Sequence, residues 1–473
     1  MTEIIQTNLN GDTLRRNLIL ITVDCLRGDR INYQGGYESI TPRMDEMSKN
    51  GASFTKSFSV APFTLSSMKS IFTSTYPLMN DGNLSLTKEM ISFVEILNNY
   101  GYSTAGYHSN PWLTKLHNYN KGFDYFMDGI IADGKESNRL NIISKFLLSL
   151  NKKNPIRQVA SFLHGYFEGT QFPYVRANKI NEMAFEWLSN VSDSNFFIWM
   201  HYMDTHEPHL PINKYSPKIS KRKLYDLNKN MGSVNPKLDD DDLEKLIGLY
   251  NAETRYVDEA IGAIYNFLKY NNLINNTYVI ITADHGQQFM EHGQLGHGLY
   301  LYDELIHVPL IIIGPGIGEI KINEVISLID LAPTILDLLG FDTTNSFKGK
   351  SLKPLLYSNE IIPTLTISEE ARSERKMPLN GKLDFSQKKI SLRTNKWKYI
   401  YNETKKHELY NLETDKYEKN NLIDLENEIA NELLTKVLNH INNLSTSSKI
   451  NFEKNNIRKK VRNCRKNIKS KKY

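Results

Sequence analysis

The chain has 473 residues, 40% of them hydrophobic and 23% charged, with a formal net charge of +5. That is the balance of a soluble globular protein, long enough for one large core plus an accessory lobe. Its two cysteines, Cys25 and Cys464, stand far apart and outside any metal-ligand spacing, which argues against a disulfide framework and for a reducing, cytoplasmic setting.

Residues 1–16 read as a polar N-terminal arm without the apolar run of a signal peptide. Asn17–Val23 follows as a buried strand, too short to span a membrane, whose end delivers Asp24. Ser66–Ser74 predicts a helix that follows a loop carrying Thr64. An insertion at about 138–167 has Ile142, Ile143, Phe146, Leu147 and Leu150 at helical spacing, with Lys145, Lys152, Lys153 and Arg157 among or after them. It reads as a core-facing or lid helix, or as a basic amphipathic helix resting on a membrane surface. Phe196–His201 predicts a second strand, and the polar stretch from Lys221 to Asp242 a surface excursion near the site mouth. Tyr278–Thr282 predicts a third strand, ending at Asp284 and His285.

Beyond these, Ile390–Tyr401 and Leu409–Leu412 predict antiparallel strands in a small C-terminal lobe over 384–445, set against a main domain over 17–383. Residues 446–473 carry eleven Lys or Arg against the single acid Glu453, a charge of +10 that leaves −5 for the rest of the chain. This basic tail reads as a solvated segment, or as one attracted to anionic lipid headgroups or a polyanionic glycan. It has little aromatic interleaving for base stacking, so no nucleic acid partner is expected. Apolar runs alternating with helical patterns predict an α/β fold around a central sheet. Its chemically loaded segments follow strand ends, where ligands bind in open α/β sheets.

Asp24, Asp284 and His285 offer two carboxylates and an imidazole, and Thr64 adds a hydroxyl. That mixture suits one divalent metal ion, Mn²⁺, Zn²⁺ or Mg²⁺. A threonine hydroxyl beside such a cation loses its proton readily and becomes a nucleophile. Asp284-His285-Gly286 directly after a strand, followed by His292 and Gly296-His297-Gly298, strengthens the reading.

These segments, in order, resemble the sulfatase-type members of the alkaline phosphatase superfamily. The match takes in Thr22–Asp29, the loop from Ala61 through Thr64 to Tyr76-Pro77, Phe197–Pro208, Tyr250–Asp258, Asp284-His285-Gly286, Gly296-His297-Gly298, Tyr302-Asp303-Glu304, Asp330–Thr334 and Glu408–Leu412. The resemblance implies an alkaline-phosphatase-like core with a central mixed sheet flanked by helices, plus a small lobe with antiparallel strands. It implies Asp24, Asp284 and His285 as metal ligands and Thr64 as nucleophile and further metal contact. His297 would bind a substrate oxygen or protonate the leaving group, and His206 would line the same pocket. His201 and Asp204 stand nearer to scaffold, and His108 lies where sulfatases keep a Lys-x-His pair, without the lysine.

The departures carry chemistry. Thr64 stands where sulfatases have the residue that matures into formylglycine, a conversion closed to threonine. Cys25 and His285 replace hard oxygen ligands, which argues against Ca²⁺. Met68 replaces an arginine, and Lys69 beside it should point differently on the helix. The leading expectation is therefore phosphoester hydrolysis or transfer through Thr64 on an anionic ester, a glycan or lipid headgroup. The alternatives are a sulfatase working without formylglycine and a catalytically weakened protein that binds anionic glycans. The expected location is the cytoplasm, with peripheral contact to an anionic membrane through the basic tail.

Overall fold

Asn17–Val23 forms β1, and every one of its seven residues is buried. An apolar run of that kind, with no polar alternation, is what a strand covered on both faces requires. The later strands are β2 (Ala52–Phe58), β3 (Ser103–His108), β4 (Tyr125–Asp128), β5 (Phe196–Tyr202) and β6 (Thr277–Ala283). They are followed by a short hairpin of β7 (Gln288–Phe289) and β8 (Leu295–Gly296), then β9 (His307–Ile313) and β10 (Ile320–Ser327). The last four are β11 (Thr366–Glu370), β12 (Lys389–Arg393), β13 (Trp397–Asn402) and β14 (Glu408–Asn411). The computed structural model describes residues 16–32, 40–128, 173–191, 194–212, 214–231, 233, 236–358, 365–372 and 381–444. The insertion expected at 138–167 and the basic tail at 446–473 lie outside the described residues, as does the N-terminal arm up to residue 15.

Eight strands make the central sheet, in the order β10-β2-β9-β6-β1-β5-β3-β4. All neighbours run parallel except β9, which is antiparallel to both β2 and β6. The fold is thus α/β with a mixed sheet, as expected. The helices Thr64–Thr73, Ala177–Val191, Asp240–Tyr270 and Leu331–Leu338 bury apolar residues in the same core as the sheet. Residues 221–242, read as a polar surface excursion, instead form the helix Lys221–Met231 and the start of Asp240–Tyr270. Leu227 and Met231 pack there on Leu246, Leu249 and Tyr250, an apolar spacing that the surrounding charge obscures in the sequence.

The second sheet is antiparallel, in the order β11-β12-β13-β14. Its first strand, Thr366–Glu370, precedes residue 384 and is buried throughout. This strand ties the second sheet to the segment before Thr64. The Glu369 amide donates to the Val60 carbonyl at 2.8 Å, and Ser368 Oγ donates to the Ser59 carbonyl at 2.6 Å. Both acceptors lie on the segment leading to Thr64.

Register places the chemistry. β1 lies between β5 and β6, with Val23 level with Tyr202 on one side and Ala283 on the other. Asp24 and Asp284 therefore leave the sheet side by side. Ile281 sits in β6, fully buried between β1 and β9. Ile281→Ala is expected to lower the unfolding free energy by about 2–5 kcal/mol, read from urea or guanidinium denaturation.

A candidate metal centre around Thr64

Asp24 and Asp284 are both fully buried where β1 and β6 end. The turn after β6 continues through His285 to Gly286, where the chain passes tightly beneath the Tyr302–Ile306 segment. A β-carbon on Gly286 would come within 2.1 Å of the Glu304 carbonyl oxygen, so glycine is required there. The Gly286 and Gln287 amides donate to the Leu305 and Glu304 carbonyls, which fixes the turn.

Thr64 is the first residue of the helix Thr64–Thr73, all of whose residues are buried. Its hydroxyl lies at the helix's positive end, where a developing negative charge is favoured. Thr64 Oγ1 stands 3.3 Å from Asp24 Oδ2 and 3.2 Å from His285 Nε2. Two serines lock this helix to the Asp284 turn. Ser59 Oγ and Ser67 Oγ donate to the Asp284 carbonyl at 2.5 and 2.6 Å and lie 3.0 Å from each other.

His285 Nε2 is 3.7 Å from Asp24 Oδ1 and 3.5 Å from Asp284 Oδ2. Across the cluster, the His285 and His297 rings lie 4.6 Å apart, and His297 and His206 lie 5.1 Å apart. The structure thus brings Thr64, Asp24, Asp284, His285, His297 and His206 together. His201 sits one layer deeper, between Thr22 Oγ1 at 2.8 Å and Asp24 Oδ2 at 3.3 Å. His108 is buried against Phe126 and Trp199, and burial pushes its pKa down to about 3. Asp204 pairs with Arg176 and caps the Ala177 amide, and His292 pairs with Glu304.

The two carboxylates behave oppositely. Burial works to raise the Asp24 pKa, but the His206 charge and the His201 hydrogen bond overcome it and hold the group well below the usual carboxylate range. Burial and the neighbouring Asp24 charge push Asp284 well above that range. His285 is pushed down to about 3 by burial and by His297, so its imidazole is neutral, as a metal ligand must be.

Asp284 Oδ2 is buried with no hydrogen bond. A carboxylate oxygen in that state needs a partner. Donor atoms of Asp24, His201 and Asp284, and those of Asp24, Cys25 and His285, lie within 4.8 Å of one another. A divalent metal fits this donor set on its chemistry.

Several groups here carry no sequence motif of their own. Asn110 Nδ2 donates to Asp24 Oδ2 at 2.9 Å. Gln287 Oε1 accepts from His297 Nδ1 at 2.9 Å, while its Nε2 donates to Glu207 Oε2 at 2.9 Å. Glu207 follows His206 and Gln287 follows Gly286, so adjacency to the recognised residues is the one signal that could have pointed to them.

Arg372 stacks on Phe63, with its guanidinium carbon 3.4 Å from the ring centre, and donates to the Gly298 carbonyl at 2.5 Å. It pairs with Glu370 on β11, so the C-terminal sheet braces both the Thr64 loop and the His297 turn. Met68 lies fully buried in the core. Lys69 turns away and donates to the Pro77 and Asn83 carbonyls at 2.8 and 2.7 Å.

The order of these segments matches a known family. A sequence model described as Sulfatase fits residues 16–341, well over half of the chain. The chain belongs to the sulfatase family. A second model, for the C-terminal part of N-sulphoglucosamine sulphohydrolase, fits residues 291–446. Arylsulfatase K of Canis lupus familiaris is 24% identical over 410 residues, covering 81% of this chain and 74% of the relative.

Among solved structures, the phosphonate monoester hydrolase of Agrobacterium radiobacter superimposes with a TM-score of 0.71 at 18% identity, covering 91% of this chain and 96% of that one. A protein solved with its substrate D-glucosamine-2-N,6-O-disulfate gives 0.67 at 18% identity, covering 92% and 98%. The fold of this sulfatase-family chain is that of both.

The likeness to arylsulfatase K overturns the expected cytoplasmic location. That expectation rested on few cysteines and a polar N-terminus, neither of which is a force that holds a chain in one compartment. Among the described residues, no helix is long and apolar enough to cross a membrane.

The sulfatase family binds a divalent metal, and Asp24 is common to two sets of donor atoms that could take one here, with His201 and Asp284 or with Cys25 and His285. Asp284→Asn removes a buried carboxyl oxygen that carries no hydrogen bond and could ionise on a cation. It is expected to lower the bound metal measured by mass spectrometry, and a content equal to wild type would count against the assignment.

Proposed function

We propose that this protein hydrolyses sulfate-class anionic esters on a carbohydrate, with Thr64 as the attacking group. The observation that carries the reading is the Thr64 hydroxyl inside the Asp24–Asp284–His285 cluster, with His297 and His206 opposite. The sulfatase family and the similarity to arylsulfatase K support sulfate over the phosphoryl transfer that Thr64 by itself suggests. The sulfated sugar bound by a protein of the same fold supports the carbohydrate part.

Thr64 Oγ1 gives its proton to solvent and attacks the central atom of the ester, whose bond to the sugar oxygen breaks. The leaving oxygen takes a proton from His297, whose ring is oriented by Gln287 and, through it, Glu207. His206 lines the pocket on the same side. A divalent cation supplies positive charge that favours the ionised hydroxyl and the anionic ester. Water then attacks the central atom, giving one proton back to His297 and the other to the departing Thr64 Oγ1, so that the inorganic anion leaves and Thr64 is free again. Formylglycine can discard its sulfate by re-forming an aldehyde; Thr64 has one oxygen on its β-carbon and lacks that exit.

This last point favours a second reading, a phosphate or phosphonate monoester, because release then depends on attack at the central atom. A catalytically weakened glycan-binding protein finds its support in the buried Met68 and the diverted Lys69, which leave the helix without a cation at the site.

The test is turnover of aryl sulfate, aryl phosphate and phosphonate monoesters by protein loaded in turn with Mn²⁺, Zn²⁺, Mg²⁺ and Ca²⁺. Sulfate turnover is expected, with Thr64→Ala lowering kcat by roughly 10⁴-fold or more at an unchanged melting temperature. Turnover confined to phosphorus esters would move the conclusion to the second reading. Activity that survives Thr64→Ala would remove Thr64 as nucleophile, and no turnover of any ester would favour the binding protein.

A further inference from the structure

Cys25 follows Asp24 directly and is fully buried at the heart of the cluster. We propose that Cys25 Sγ is itself a ligand of the metal centre, so that the site selects a thiophilic divalent cation of the zinc type. The inference rests on reading Asp24, Asp284 and His285 as a metal centre, and adds a soft donor to that set.

The separations carry the argument. Ligand atoms on a tetrahedral ion with bonds of about 2.0–2.3 Å stand about 3.3–3.8 Å from one another. Cys25 Sγ lies 3.1 Å from Asp24 Oδ1. Asp24 Oδ1 lies 3.7 Å from His285 Nε2, which lies 3.5 Å from Asp284 Oδ2. Taken from each donor to the next, these separations lie within a few tenths of an ångström of the spacing between neighbouring ligand atoms. The donor atoms of Asp24, Cys25 and His285 also lie within 4.8 Å of one another. Independently, the buried Asp284 Oδ2 carries no hydrogen bond and faces the same cluster through His285.

The backbone holds the sulfur in place. The Cys25 amide donates to Asp284 Oδ1 at 3.3 Å, and its carbonyl accepts from the Tyr250 hydroxyl at 2.8 Å. Cys25 has φ 62°, a left-handed conformation that glycine would adopt without strain. Keeping a side chain there is unfavourable, and a bond from that side chain to a cation would offset it.

On binding, the S–H bond gives its proton to solvent as the sulfur–metal bond forms. Thiolate disfavours Ca²⁺ and Mg²⁺, which take oxygen ligands, and favours Zn²⁺ or Co²⁺. The competing arrangement is a neutral thiol that donates to Asp24 and lies 3.4 Å from His297 Nδ1 without touching the metal.

Cobalt separates the two, because a Co²⁺–thiolate bond adds a charge-transfer band in the near ultraviolet to the visible cobalt bands. The full chain carrying Cys464→Ser, which removes the other thiol, is stripped of metal and titrated with Co²⁺. The expected result is one Co²⁺ per chain with the charge-transfer band, displaced by Zn²⁺ but not by excess Ca²⁺ or Mg²⁺. Adding Cys25→Ser should abolish the band, keep the visible bands, and weaken Zn²⁺ binding by at least roughly tenfold.

Stoichiometric Co²⁺ without the band in the Cys464→Ser protein overturns the ligand assignment while leaving the metal centre standing. This readout does not depend on how Cys25→Ser folds. A band that persists after Cys25→Ser also overturns it. No Co²⁺ bound at all overturns the metal centre, and the thiolate with it.

Discussion

Two carboxylates, Asp24 and Asp284, leave neighbouring parallel strands at the same level and are buried side by side. Burying two like charges together costs several kcal/mol for each unless something of opposite sign is shared between them. The structure answers this unequally. Histidines keep Asp24 ionised, while burial and Asp24 itself drive Asp284 toward its protonated form. Such a pair is strained until a cation joins it, and the surrounding architecture places further donors where that cation would sit.

A second layer holds the pair in position. Asn110 and His201 bind the same Asp24 oxygen, and the Thr205 hydroxyl binds the Asp24 carbonyl. Ser59 and Ser67 clamp the Asp284 carbonyl and thereby fix the Thr64 helix to the Asp284 turn. The C-terminal sheet completes the frame through Arg372, which reaches from Glu370 to Phe63 and Gly298. The C-terminal sheet is thus part of the support around Thr64 and His297. Its first strand, β11, makes the backbone contacts that seat it on the approach to Thr64.

Much of the fold was legible before the structure, for a physical reason. The strands that carry Asp24 and Asp284 are short apolar runs buried on both faces, and the residues after them are polar with nowhere else to go. The helix behind Thr64 was legible as well, and Lys69 turns from the site as the helical spacing requires. The helix Lys221–Met231 was not, because its apolar face is narrow and its charged residues dominate any window average. Asn110, Gln287 and Arg372 were also out of reach. Each acts on a partner in another segment, and nothing local in the sequence records such a pairing. The cytoplasmic expectation failed differently, since it was drawn from what the chain lacks.

By itself the sequence determined the class of fold and the family likeness, and it named the five residues, Asp24, His206, Asp284, His285 and His297, that the structure gathers around Thr64. Hydrophobic periodicity sets strands and helices, and motif spacing fixes which side chains follow each strand end. Only the tertiary structure decided how those side chains meet. Parallel register across β1 and β6 set the two aspartates level, and a left-handed turn brought Cys25 against Asp24. Packing of β11 placed Arg372 behind the loop. Distances of 3–4 Å between groups more than two hundred residues apart are properties of packing, and no local pattern encodes them.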